Sequence, residues 1–153
     1  VQNPANVGGL CRTAEVFRLE SLVIANGAIA QDAAFKRVAV SSQQWQPFEI
    51  CPVVSLPEWI ARQQSHHYTV IALHPDAQAV SLTHFTFPPQ SVLVLGVELT
   101  GIPSHILQCC DRIITIPQFG RVESLNVHTA GAIAIYEYVR QHGLEPAQMD
   151  RDR

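Results

Sequence analysis

The chain has 153 residues, 47% of them apolar and 15% charged, with a formal net charge of −3. That length supports one domain with its own core, and the composition excludes an intrinsically disordered or low-complexity chain. No apolar run reaches the ~20 residues that a membrane helix needs. No basic, apolar leader opens the chain, so the expected compartment is the cytoplasm. A nucleic-acid binder usually carries a basic footprint. The mild acidity argues against one, unless a local patch exists or a dimer pools two.

The elements alternate along the chain. Asn3-Pro4 reads as a cap and helix start, leading a helix over residues 5–17. A helix this early in an alternating pattern normally follows a strand, so the expectation is a chain cut short ahead of residue 1. Next come a strand at 21–25, a helix at 33–40, a strand at 48–53 and a helix at 56–64. A strand at 69–73 precedes a turn-rich connector holding residues 81–86 and Pro88-Pro89. A strand at 91–95, a helix at 104–110 and a strand at 112–116 follow. The five strand segments are short apolar runs, as expected for strands buried on both faces of a parallel sheet. The last helix, 127–141, is the best marked. Val127, Ala130, Ala134, Ile135, Tyr138 and Val139 recur at helical spacing, and Gly143 stops it. The charged tail at 148–153 is expected to fray. Strand–helix alternation of this kind predicts a layered α/β domain without internal repeats.

Cys11, Cys51, Cys109 and Cys110 match neither a zinc spacing nor C-x-x-C, and read as buried reduced thiols. The seven histidines form no ligand set, and His66-His67 sits in a polar, solvated stretch. No metal is assigned.

Three segments carry chemistry. The first surrounds the opening helix start with Asn3, Asn6, Gly8, Gly9 and Arg12. Free N–H groups at a helix start favour an anion, glycines permit close approach, and arginine forks onto phosphate. An equal reading is that Asn3 caps the helix and the glycines merely pack. The second runs from a buried strand into Gly96, Glu98 and Gly101, where ligands of open α/β sheets gather. A lone glutamate there also fits an ordinary solvated loop residue. No G-x-G-x-x-G is present, which argues against a dinucleotide fold. The third is Ile116-Pro117 followed by Ser124-Leu125-Asn126-Val127. Asn126 can simply cap the last helix, and Ser124 lacks the G-x-S-x-G context of a hydrolase nucleophile. Order and shared placement at strand ends distinguish the three together.

Together they resemble the SpoU branch of the SPOUT methyltransferases. The family patterns are Asn-x-Gly-x-x-x-Arg, Gly-x-Glu-x-x-Gly and Ile-Pro followed by Ser-Leu-Asn-Val. They match Asn6, Gly8 and Arg12; Gly96, Glu98 and Gly101; and Ile116, Pro117, Ser124, Leu125, Asn126 and Val127. The resemblance covers nearly the whole chain, read as a single catalytic domain over residues 1–153. It implies an α/β fold whose mainly parallel sheet is flanked by helices, with a C-terminal deep trefoil knot, a rare exception to threading rules. It also implies a homodimer, with each active site built across the interface and much of the contact supplied by the final helix. The implied cofactor is S-adenosyl-L-methionine, held through Leu73, Gly96, Ile116 and Leu125. The implied reaction is methyl transfer to an RNA ribose 2′-hydroxyl. Arg12, reaching in from the partner, would grip the neighbouring phosphate, since a guanidinium is a poor base. Asn6, Glu98, Ser124 and Asn126 would shape the site.

Residues 3–17, 41–47 and 124–128 look most like the eukaryotic tRNA ribose methyltransferases and the TAR RNA-binding protein catalytic domain. That points to a D-loop guanosine of tRNA. The alternatives are the tRNA wobble ribose, ribosomal RNA, or an RNA-binding module that keeps the fold without catalysis. A small-molecule α/β enzyme or a flavodoxin-like carrier would need a phosphate loop or flavin motif that is absent.

Overall fold

The structure is a computed structural model that describes residues 1–122 and 124–143. The tail at 148–153 lies outside those residues. Helix α1 spans Pro4–Val16, with Asn3 as its cap, accepting from the Ala5 and Asn6 amides. Its buried positions Val7, Leu10, Cys11 and Ala14 follow the i, i+3, i+4, i+7 spacing that makes one apolar face. Strand β1 (Leu22–Ile24), helix α2 (Ala33–Ala39) and strand β2 (Phe48–Ile50) follow. β1 and β2 pair in parallel as a separate two-stranded sheet. The second strand ends earlier than its apolar run suggested. Pro52 leads instead into a 3-10 turn at Val53–Ser55, because proline has no N–H to offer a ladder.

Helix α3 (Leu56–Ser65) leads into strand β3 (Thr69–Leu73), and strand β4 (Val80–Ser81) follows. The sequence suggests only a connector near β4, since two residues carry no period. After it come β5 (Ser91–Val94), α4 (Ser104–Leu107), β6 (Arg112–Thr115) and α5 (Val127–His142). α4 is a single turn, shorter than expected, and turns follow it. α5 ends at Gly143, whose φ of 58° makes the left-handed cap that glycine takes at little cost.

The second sheet has the order β4-β6-β3-β5, every pairing parallel. β3 is its centre, and side chains alternate across it. Val70 and Ala72 join Trp59, Ile60, Ile102 and Ile106 on the side of α3 and α4. Ile71 joins Ile114, Leu82, Phe85, Phe87 and Ala134 of α5 on the other. Each fully buried aliphatic side chain here contributes about 1.5–3 kcal/mol, and burial on both faces explains the near-continuous apolar β3. A third cluster, with Val7, Cys11, Phe35, Ala39 and Ile24, joins α1 and α2 to the small sheet. Cys11 and Cys51 are buried as expected, whereas Cys109 and Cys110 are only partly so.

Because β3, β5 and β6 are parallel neighbours, their carboxyl ends share one edge of the sheet. The loops that leave Leu73, Val94 and Thr115 therefore converge. They meet the first turn of α5 and the start of α1 there.

Candidate active site

The converging loops enclose a cleft of about 500 Å³, within the ~300–1,000 Å³ typical of small-molecule sites. Leu73, Gly96, Ile116 and Leu125 all line it, as do Glu98, Ser124 and Asn126. The wall also holds residues to which the sequence assigned no role, among them His74 and Gln118. His74 directly follows Leu73, and only the strand end marked that stretch.

Glu98 is the electrostatic centre. Its carboxylate accepts from the Asn3 amide (2.9 Å), the Gln2 amide (3.1 Å) and Asn6 Nδ2 (3.1 Å). Partial burial opposes ionisation, but the Asn6 side chain and the backbone N–H groups outweigh it. They hold the acid down at about 2. A freely solvated loop glutamate is thereby excluded. Asn6 relays the contact, since its Oδ1 accepts from Asn126 Nδ2 at 2.9 Å. Asn126 in turn caps α5, its Oδ1 accepting from the His128 and Thr129 amides (2.9 and 3.2 Å). The carboxylate and two amides thus form one chain, and each amide's orientation is set by its two partners.

The glycines of the first segment serve packing in this chain. A Cβ on Gly8 would lie 2.6 Å from the Phe35 carbonyl oxygen, and one on Gly9 would lie 2.4 Å from His128 Nδ1. The N–H groups ahead of α1 already face the Glu98 carboxylate. That arrangement answers the anion preference of a helix start from within the protein. Gly96 has a comparable reason. Val97 and Gly101 bridge with N···O distances of 2.9 and 2.8 Å, and a Cβ on Gly96 would meet Gly101 C at 2.6 Å.

Arg12 stands apart. Six residues beyond Asn6 on α1, it lies about 120° away around the helix axis. It lines a second hollow of about 340 Å³ with Gly9, Thr13, Val16, Phe17, Val38 and His128. One chain therefore brings Glu98, Ser124 and Asn126 to the cleft, with Asn6 hydrogen-bonded to Glu98 and Asn126, and directs Arg12 elsewhere. Thr13 and His128 were also missed in the sequence. Thr13 Oγ1 and His128 Nε2 share a hydrogen bond of 3.1 Å across α1 and α5, and burial pushes the imidazole below its ordinary value. Among the described residues, no three His, Cys, Asp or Glu side chains cluster so as to hold a metal ion.

Parallel strands flanked by helices, with a polar network over a strand-end cleft, define a ligand-binding α/β domain. The chain belongs to the SpoU rRNA Methylase family, whose model matches residues 1–136. It is 39% identical over 148 residues to the mouse (Mus musculus) tRNA (guanosine(18)-2'-O)-methyltransferase TARBP1, covering 97% of this chain and 9% of that protein. It is 33% identical over 143 residues to the tRNA (guanosine(18)-2'-O)-methyltransferase of Saccharomyces cerevisiae, covering 93% of this chain and 10% of that protein. The chain thus spans about a tenth of the length of these two relatives. Among solved structures, the AdoMet-bound rRNA methyltransferase of Sinorhizobium meliloti superposes with a TM-score of 0.79 at 25% identity, over 94% of this chain and 54% of that one.

Proposed function

We propose that this domain, read as one unit over residues 1–153, transfers a methyl group from S-adenosyl-L-methionine to an RNA ribose 2′-hydroxyl, with a guanosine of the tRNA D-loop as target. The observation that carries the reading is the strand-end cleft. It gathers all four apolar and glycine positions matching the family's cofactor contacts, beside a pinned carboxylate–amide chain. The names of the mouse and yeast relatives support tRNA guanosine, and the S. meliloti relative supports the cofactor.

The residues fit the cofactor. Leu73, Ile116 and Leu125 supply apolar walls, and Gly96, where a Cβ would meet the Gly101 backbone, lets the turn close at the cleft wall. When bound, the sulfonium supplies an electrophilic methyl group. The protein's part is then to orient the acceptor hydroxyl and exclude water, and positioning of that kind can lower a barrier substantially. Glu98 stays ionised and holds Asn6, and Asn6 holds Asn126, so the cleft rim is rigid before substrate arrives. Ser124, on an exposed loop beside it, offers a hydroxyl to ribose or cofactor.

Arg12 grips the phosphate next to the target ribose, and it does so in a homodimer. Its place on the far side of α1 fits a site completed by Arg12 of the partner subunit. Exposed apolar side chains on the same two helices, Val16 of α1 (62% exposed) and Ile133 and Tyr136 of α5 (40% and 58%), suit burial against a second copy. The reading includes a C-terminal trefoil knot and a cytoplasmic location. No described helix is long and apolar enough to cross a membrane.

The test is transfer of tritiated methyl from the cofactor to a tRNA pool, followed by mapping of the modified nucleotide. Incorporation at a guanosine ribose, lost in Arg12→Ala, is expected. No incorporation into any RNA, with cofactor binding confirmed by calorimetry, overturns the proposal.

A further inference from the structure

The hollow beside Arg12 holds a contact that the cleft does not require. His128 is the second residue of α5, two positions beyond the Asn126 cap. Its ring lies flat on the backbone of α1 at Gly9, where any Cβ would collide with Nδ1 at 2.4 Å, Cε1 at 2.6 Å and Cγ at 2.8 Å. Its Nε2 reaches Thr13 Oγ1 at 3.1 Å. The imidazole therefore spans one turn of α1, from Gly9 to Thr13, and Arg12 sits inside that turn. The ring, Thr13 and Arg12 line the same hollow.

The first turn of α5 is thus tied to α1 on two sides. On the cleft side Asn126 holds Asn6, and on the hollow side His128 holds Thr13. Arg12 itself is exposed on a long, rotatable side chain. Its aim depends on where its backbone turn sits and on how the hollow is walled. A displacement of about 1 Å at a reacting centre costs on the order of a hundredfold in rate.

We propose that His128 is a positioning residue for Arg12: seated on Gly9 and hydrogen-bonded to Thr13, it locks the turn of α1 that carries the guanidinium to the helix that carries Asn126. This rests on the reading of Arg12 as the group that meets substrate. The ring face is seated against Gly9 and Nε2 is bonded to Thr13, so His128 is held against α1 and acts through Arg12. The neutral ring that burial favours also adds no second positive charge beside the guanidinium.

The test compares wild type with His128→Ala, Thr13→Val, their double variant, and Thr13→Ser, which keeps the hydroxyl. Methyl-transfer kcat and KM, S-adenosylhomocysteine affinity and Tm are measured for each. His128→Ala and Thr13→Val should each lower kcat about tenfold, with cofactor affinity unchanged within about twofold. The double variant should be no worse than either single one, as for two groups acting through one bond, and Thr13→Ser should recover wild-type kcat. Unchanged kcat in the single variants, multiplicative losses in the double variant, or losses that track Tm overturn the proposal. Should wild type transfer no methyl group, the functional reading falls by itself. The lock is then read from amide hydrogen exchange across residues 9–13, which His128→Ala must accelerate about tenfold. Unchanged exchange there overturns the lock as well.

Discussion

Asn126 donates to Asn6 across 2.9 Å although 120 positions separate them. That bond ties the cap of the last helix to the first turn of the first helix. Through Asn6 it also reaches Glu98.

Removing the Asn126 side chain should act twice. Asn126→Ala loses a helix cap, worth about 1 kcal/mol, and leaves Asn6 Oδ1 without this donor, worth about another 1 kcal/mol. Urea denaturation should show a drop of about 2 kcal/mol for the pair of effects. A change confined to the cap value would show that the Asn6 contact contributes nothing.

Glu98 should make the fold acid-sensitive. Its folded pKa, about 2, lies below the ordinary carboxylate value. Its stabilising contribution is therefore complete above the unfolded value of ~4.3. It is lost progressively as pH falls from there toward 2, because the unfolded chain binds the proton first. Glu98→Gln should flatten the stability profile in that window. Chemical denaturation between pH 2 and 6 checks the sign. Some acid sensitivity should survive in the variant, since Arg140 holds Glu137 at about 2 as well.

Gly8→Ala should be destabilising despite the better helix propensity of alanine. The added Cβ would sit 2.6 Å from the Phe35 carbonyl oxygen, which is backbone and cannot rotate away. α1 and α2 must separate, at a cost of about 1–3 kcal/mol. A rise in Tm would disprove the close approach.

Arg12→Ala should leave stability within about 0.5 kcal/mol, because the side chain is exposed. It should abolish methyl transfer all the same. Co-expression with Leu125→Arg, which obstructs the cleft from a 41% exposed position, should restore about a quarter of wild-type activity. Random pairing makes half the dimers mixed, and each mixed dimer holds one intact site. Full loss in the mixture would place Arg12 and the cleft it serves in the same chain.

Most elements were legible in the sequence because their signals are local. Asn3 and Asn126 cap the helices they precede, Gly143 ends α5, and the apolar run Thr69–Leu73 is a strand with the expected bounds. The misses have local causes too. β4 is too short to show a period, and α4 stops after one turn where the apolar pattern continued.

The site divides the same way. The family resemblance marked Asn6, Arg12, Glu98, Ser124 and Asn126 as site residues, and the residue pattern placed their three segments at strand ends and helix starts. Only tertiary structure decided that Glu98, Asn6 and Asn126 form one hydrogen-bonded chain, that Arg12 faces a different hollow, and that Gly8 and Gly9 make room for Phe35 and His128. Caps, turns and periodicity depend on neighbours within a few residues. Strand order and contacts across 92 or 120 positions depend on how the sheet and its helices pack, which no local pattern encodes.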